Sequence, residues 1–280
     1  MDLATYIQLA LAEDIGRGDH SSLACVPQNA TEKARLLVKD EGVLAGLNMA
    51  KAIYATYDSK LNFNPLLNDG DWVRPGEVAF ELSGPARSIL AVERLSLNIM
   101  QHMSGIATAT QKVMQQLEGT GCRILDTRKT SPLNRFLQKE AVSIGGGMNH
   151  RFGLYDMIML KDNHIDYAGG IAAAIHRTKA YLQENQLDLK IEVEARSLNE
   201  VNEILAVGGI HRIMLDNFNF EDLRTAVKLI NKQYETEASG GIEIEQVREY
   251  ALCGVDFISM GALTHSVKNF DLSLKAIKNV

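Results

Sequence analysis

The 280-residue sequence predicts a two-part protein, an irregular α+β region followed by a parallel α/β barrel, complete or incomplete. Two observations carry the second half. From about residue 120 the chain alternates six short β-like runs with helical patterns, and the run centres Leu125, Leu160, Val193, Leu215, Glu237 and Ile258 recur at intervals of 35, 33, 22, 22 and 21. Each run also carries its distinctive polar residues at its C-terminal end. A barrel gathers six such ends around one mouth, whereas a doubly wound sheet spreads them along a line. A third observation sets the first half apart: before residue 120 the repeat is missing, and Gly and Pro break the chain into short segments.

In the first region an amphipathic stretch around Thr5 to Ala12 leads into the turn-rich GRGDHSS. RLLVKDEGVLAG reads as a strand, a turn at Gly42 and a second short strand, and a helix follows from Leu47 to Tyr57. Asp69-Gly70, Pro75-Gly76 and Ser83-Gly84-Pro85 bracket segments such as EVAFEL, which suggests an antiparallel sheet with attached helices. Ser88 to about Leu117 is a long helical run whose apolar residues cover most of its circumference, so it is expected to be buried on several sides. Arg94, Asn98 and His102 form one polar stripe on it at i, i+4 and i+8. Such a stripe is either a solvated face or part of an interface or site.

The second region contains the runs CRILDTRK, YDMIMLKDNH, LKIEVEAR, IHRIMLDNF, QYETEASGG and VDFISMGALTH, separated by helical patterns such as PLNRFLQKEAVSI and EDLRTAVKLI. The closing SVKNFDLSLKAIKNV is either a last helix or a strand returning to the first region.

Composition narrows the function. A hydrophobic fraction of 46% with 23% charged residues is that of a soluble globular protein, and a net charge of −6 argues against a broad surface for nucleic acid or anionic membrane. Three scattered cysteines, Cys25, Cys122 and Cys253, form no CxxC pair and fit a reducing compartment. The N-terminal stretch lacks the basic region of a signal peptide, so a cytoplasmic location is expected.

The strand ends carry the chemistry. Arg128 and Lys129 follow the first run, His150 and Arg151 follow a Gly-rich turn, and Lys161 follows the second run. One such cation is ordinarily a solvated surface charge, but five at equivalent positions make a cationic pocket for a small polyanion. The next ends are acidic: Glu192 and Glu194 share one strand face, and Asp216 follows Leu215. These carboxylates suit sugar hydroxyls or Mg²⁺, although Glu192 could simply pair with a neighbouring Lys or Arg. The last two ends, Ser239-Gly240-Gly241 and Gly261 to Ser266 with His265, are small loops whose backbone amides could cradle phosphate. No GxSxG elbow, HExxH motif or strand-end Cys offers a dominant nucleophile. Electrostatics and positioning, acting on a phosphorylated sugar and a small acid, are what the residues support.

DTRKT, GGGMNHRFGLYDMIMLKDNH, EVEAR, MLDNF, EASGGI and ISMGALTHS, with LAEDIGRGDHSS, GDWVRPGE and ERLSLNIMQHMSGIAT before them, resemble in order and spacing the quinolinate phosphoribosyltransferase family. The resemblance covers essentially the whole chain. It implies an N-terminal α/β sandwich and dimerisation domain (1–118) and a catalytic incomplete (βα) barrel (119–267); the C-terminal segment (268–280) stays open between a last helix and a strand packing back on the first domain. It also implies a homodimer, or a higher oligomer built from it, in which Arg94 projects into the neighbour's site. Arg94, Arg128, His150, Arg151 and Lys161 match the family's pocket for the two carboxylates of quinolinate. Lys129 matches a site lysine near both substrates, and Glu194 and Asp216 match the carboxylates near the ribose and Mg²⁺ of phosphoribosyl pyrophosphate. Ser239, Gly240, Gly261 and His265 match the phosphate rim. The implied reaction is phosphoribosyl transfer with decarboxylation. The alternatives are a related transferase-fold protein associated with molybdenum uptake and a non-catalytic anion-binding scaffold. One departure is Ser131-Pro132-Leu133-Asn134-Arg135 where the family commonly has TPGLR, so Leu133 stands in place of a glycine.

Overall fold

The computed structural model describes residues 2–277. The chain forms two compact units, residues up to 109 together with the stretch from 266 onward, and residues 110–265. Both boundaries differ from the 118/119 and 267/268 expected from sequence. The first differs because the helix Ala86–Gln116 runs unbroken past the end of the first unit, so no loop marks the change.

In the first unit Asp2 and Asp19 cap the helices Leu3–Ile15 and His20–Cys25, their carboxylates accepting from the backbone N–H of Thr5 and Ser22. Strands β1 (Thr31–Val38), β3 (Asn62–Pro65) and β5 (Val78–Pro85) pair antiparallel in the order β1-β5-β3, while β2 (Gly42–Val43) pairs with β4 (Trp72–Val73). The helix Leu47–Tyr57 packs on this sheet: Tyr54 is buried with its ring 5.9 Å from both Phe63 and Phe80, which lie 4.5 Å apart. Gly42 is not the expected turn but a strand residue. A Cβ there would meet Thr108 Oγ1 at 2.4 Å, so the glycine allows β2 to approach the long helix closely.

The second unit contains all six predicted strands: β6 (Arg123–Leu125), β7 (Ile158–Leu160), β8 (Ile191–Ala195), β9 (Arg212–Asp216), β10 (Glu235–Ser239) and β11 (Phe257–Ser259). They form one parallel sheet in the order β6-β11-β10-β9-β8-β7. Consecutive strands are neighbours and the first lies beside the last, which is barrel order; a doubly wound sheet would reverse direction at a switch point. β6 and β7 are not paired, so the barrel is incomplete and opens between them. One face of the strands is apolar, with Ile124, Val193, Ile213, Leu215, Ala238 and Ile258 almost wholly buried. Each of the larger ones contributes about 1.5–3 kcal/mol of burial. Two helical pieces depart from expectation: Asp162–Ala168 directly after Lys161, and the turn Ala262–His265 where a loop is predicted.

The chain then returns to the first unit as β12 (Leu272–Ala276), antiparallel to β1, which decides between the two expectations for this segment; residues 278–280 lie outside the described residues. No helix among the described residues is long and apolar enough to cross a membrane.

Candidate active site

The opening between β6 and β7 is lined by the Gly-rich segment. Met148 donates to Ile124 O at 2.9 Å and accepts from Asp126 N–H at 3.1 Å, so residues 146–148 run beside β6 like a surrogate strand and deliver Asn149, His150 and Arg151 to the mouth. Gly147 permits this, since a Cβ would lie 2.8 Å from Val142 and 2.9 Å from Thr110. Below them Asp126, fully buried, pairs with the buried Lys139 of the helix Arg135–Ile144. Asp126 accepts the His150 N–H at 2.8 Å and Lys139 donates to His150 O at 2.9 Å, so one ion pair clamps both backbone groups of that residue. With its amide nitrogen turned towards acceptors, Asn149 also donates to Asp126 at 2.7 Å.

The cations stand at the mouth. β6 ends at Leu125, so regular β geometry is already lost at Arg128 and Lys129, and the two need not point to opposite faces. Arg128 and Arg151 are half-buried; burial and the charge of Arg128 both hold the Arg151 guanidinium below its usual range, with Glu192 and Asp156 opposing. Arg128 Nε is buried without a hydrogen-bond partner. Two neighbouring guanidiniums that repel each other and keep an unused donor favour a bound anion. Lys161 is exposed at the end of β7, and its charge reaches Glu194 of β8.

Glu194 is buried to 7% exposure, and its carboxyl is raised by burial and by the neighbouring charge of Asp216, against the pull of Lys161. The ends of β9 and β10 are tied by the Asn217 N–H donating to Ser239 O at 2.9 Å. Gly240 has φ +104°, and a Cβ there would sit 2.3 Å from Asn217 Oδ1, so only glycine fits. At the last strand end a Cβ on Gly261 would lie 2.9 Å from Lys129 Cδ and 3.1 Å from His265 Cδ2. Thr264 Oγ1 donates to Lys129 O at 2.8 Å. Lys129, Gly261 and His265 are therefore one cluster, built from the first and last strands.

Arg94 belongs to the other unit, at an exposed position on the long helix; the third residue of its stripe, His102, bonds Asn269 at 3.2 Å. His150 is placed lower than expected for a substrate ligand, at 8% exposure. Its Nδ1 accepts the Arg151 N–H at 2.6 Å, and its Nε2 lies 3.0 Å from Glu192 and 3.4 Å from Glu237. Nε2, both Glu192 oxygens and Glu237 Oε1 are buried, and the ring is held between the two carboxylates chiefly by charge. Burial opposes a charged imidazole, but the two carboxylates outweigh it and push His150 up to about 9. Burial and the Glu237 charge raise Glu192 to about 7. Glu237 is lowered, its burial outweighed by His150 and Arg212. Arg212 donates to Glu237 at 2.9 Å and Glu235 at 3.0 Å and lies over the Phe257 ring at 4.2 Å.

His150, Glu192 and Glu237 offer three ligand atoms within 4.8 Å of one another, the spacing of a metal site. They fit a metal poorly: Arg212 already supplies a cation to Glu237, and an imidazole whose Nδ1 accepts an N–H carries its proton on Nε2. Sequence reasoning missed Glu237, Arg212, Asp126 and Lys139. For Glu237 and Arg212 the available signal was the alternate charges of KIEVEA and YETEA on either side of the strand that Arg212 opens, which puts charge on one face of three adjacent strands.

The model of the quinolinate phosphoribosyl transferase N-terminal domain matches residues 19–104, and that of its C-terminal domain matches residues 106–275. The chain belongs to the quinolinate phosphoribosyl transferase family. It is 45% identical to the chloroplastic nicotinate-nucleotide pyrophosphorylase (carboxylating) of Arabidopsis thaliana, over 98% of this chain and 82% of that protein. Identity to the probable nicotinate-nucleotide pyrophosphorylase (carboxylating) of Bacillus subtilis is 42%, over 94% and 89%. The crystal structure of NadC from Streptococcus pyogenes superposes with a TM-score of 0.93 at 37% identity, covering 99% of this chain and 97% of that one. Within the quinolinate phosphoribosyl transferase family, the SPLNR departure has a local explanation. Leu133 takes φ +65°, the left-handed region that favours glycine, with its side chain 72% exposed.

Proposed function

We propose that the protein transfers the phosphoribosyl group of phosphoribosyl pyrophosphate to quinolinate with decarboxylation, giving nicotinate mononucleotide, pyrophosphate and CO₂ for NAD biosynthesis. The observation that carries this reading is the pair of mutually repelling guanidiniums, Arg128 and Arg151, facing a mouth whose opposite side bears Glu194 and Asp216. A dianionic acid satisfies the first side, and the hydroxyls of a phosphorylated ribose satisfy the second.

In this reading Arg128, Arg151 and Lys161 hold the two carboxylates of quinolinate, with His150 beneath them. Arg94 completes the pocket from a second subunit of a homodimer. Ser239, Gly240, Gly261 and His265 take the phosphates, and Lys129, lying against Gly261 and His265, neutralises charge where the two substrates meet. Clustered cations remove the repulsion between two anions and fix their line of approach. The ring nitrogen forms a bond to the anomeric carbon as the carbon–oxygen bond breaks, its electron pair leaving on pyrophosphate. Glu194 and Asp216 stabilise the positive charge that develops on the ribose. The bond to the 2-carboxylate then breaks, CO₂ departs, and the electron pair left on the ring carbon takes a proton. Glu194 and Asp216 also fit Mg²⁺, directly or through water or substrate, because Asp216 charge already raises Glu194 and a divalent cation relieves that repulsion. When bound, the ion neutralises the leaving pyrophosphate. A cytoplasmic setting fits three cysteines that are all free.

The test combines purified protein, Mg²⁺, phosphoribosyl pyrophosphate and carboxyl-labelled quinolinate, and counts CO₂ and pyrophosphate. Equal release of both is expected; a folded protein that releases neither rejects the proposal. In the same assay, a mixture of inactive Arg94→Ala and inactive Lys161→Ala subunits regains activity if the site is shared across a dimer, and stays silent if it is not.

A further inference from the structure

Two carboxylates lie deeper than any substrate group assigned above. Glu192 and Glu237 are fully buried on β8 and β10, and Arg212 donates to Glu237 at 2.9 Å. Buried carboxylates are costly unless paired, so Glu192 in particular needs a partner that gains from it. Both approach the same atom, His150 Nε2, at 3.0 and 3.4 Å. On the far side of the ring, Nδ1 accepts the Arg151 N–H at 2.6 Å. The imidazole is thus a rod between the carboxylates and the backbone of Arg151, and the Asp126–Lys139 pair pins the backbone of the same histidine. With Nδ1 accepting the Arg151 N–H, the ring is the neutral tautomer with its proton on Nε2, towards the carboxylates; the cation carries a second proton on Nδ1 and gives up the amide contact. The charged groups facing the ring are Glu192, Glu237, Arg151 and the Asp126–Lys139 pair, with Arg212 behind Glu237.

We propose that Glu192 and Glu237 are positioning residues for the acid-binding subsite: from beneath the strand ends they fix the His150 ring and, through it, the Arg151 guanidinium that faces Arg128. The inference rests on the proposed phosphoribosyl transfer, since it names what that pocket stands on. It assigns neither carboxylate a contact with substrate. Loss of one lets the ring turn, the Arg151 N–H loses its acceptor, and the paired guanidiniums lose their spacing. Glu237 shares β10 with Ser239 of the phosphate rim, but the rod ends on Arg151 of the acid subsite, so quinolinate is expected to respond more strongly than phosphoribosyl pyrophosphate.

The test is Glu192→Gln, which keeps the volume and removes the charge, assayed for KM of each substrate beside wild type. The quinolinate KM is expected to rise about tenfold while the phosphoribosyl pyrophosphate KM stays within twofold. In ¹⁵N-histidine NMR, with His150 identified from His150→Gln, its titration midpoint falls by a unit or more. Glu192→Asp, which returns a carboxylate, recovers part of the quinolinate KM. If Glu192→Gln does not fold, Glu237→Gln carries the same expectation. An active wild type whose folded variant changes both KM values alike, or leaves that for quinolinate unchanged, overturns this inference alone. An inactive wild type overturns the functional reading itself.

Discussion

The floor and the rim of the parallel sheet use the same residue types in opposite ways. On the floor, Asp126 meets Lys139, Arg212 meets Glu235 and Glu237, and His150 lies between two glutamates, so each charge is answered within the protein. At the rim, Arg128, Lys129, Arg151 and Lys161 form no ion pair with a carboxylate among the described residues, and Arg128 keeps a buried donor unused. Paired charges at the bottom hold the shape; in the proposed function the unpaired charges at the top take the ligands. The difference teaches that residue type alone does not separate structural from functional charge, whereas the identity of the partner does.

The comparison breaks most readily on the floor. Replacing Lys139 by Met leaves Asp126 charged and buried without its partner, and about 3–5 kcal/mol of unfolding free energy is expected to be lost. Chemical denaturation measures it; a loss under 1 kcal/mol would place Lys139 among dispensable charges.

A smaller effect sharpens the role of His150. Its carboxylate neighbours raise it to about 9 from 6.5, so its contribution is complete below about pH 6.5 and fades as pH rises through 9. The stability gap between wild type and His150→Gln is expected to shrink across that window, by on the order of 1–3 kcal/mol. A gap independent of pH would mean that the amide contact at Nδ1 keeps the ring neutral throughout.

The smallest effect lies outside both layers. Leu133→Gly relieves a left-handed φ of +65° at an exposed site, but gives back unfolded-chain entropy, for a net gain of about 1 kcal/mol or less. Thermal unfolding reads the stability, and kcat is expected to move less than threefold. A larger change in kcat would make this loop part of the catalytic cycle.

The candidate rim was legible in the sequence because strand ends announce themselves: an apolar run stops and a charge follows at four ends, and a small Gly-containing loop follows at the last two. The floor was harder to read. Glu237 sits in ETEAS, which looks like a strand half exposed to water, and only the register that sets β10 beside β9 shows that its charged face turns towards Arg212. Lys139 belongs to a helix whose Leu137, Ala141 and Val142 are buried, and a lysine in that company signals a buried partner. Its partner Asp126 is 13 residues earlier, a separation that no periodicity connects. Gly42 failed for a similar reason, since Thr108, which its neighbour Val43 bonds, lies 65 residues beyond Val43. The open edge between β6 and β7 was also invisible, because pairing between strands leaves no mark on their spacing.

The most direct test of the division between floor and rim is calorimetric titration of Arg151→Ala with each substrate. Arg151 is predicted to serve quinolinate, so its removal should weaken quinolinate binding about 100-fold or more, while phosphoribosyl pyrophosphate binding stays within threefold and the unfolding midpoint is retained. Equal losses for both substrates, or a fall in stability with quinolinate affinity unchanged, would contradict the account.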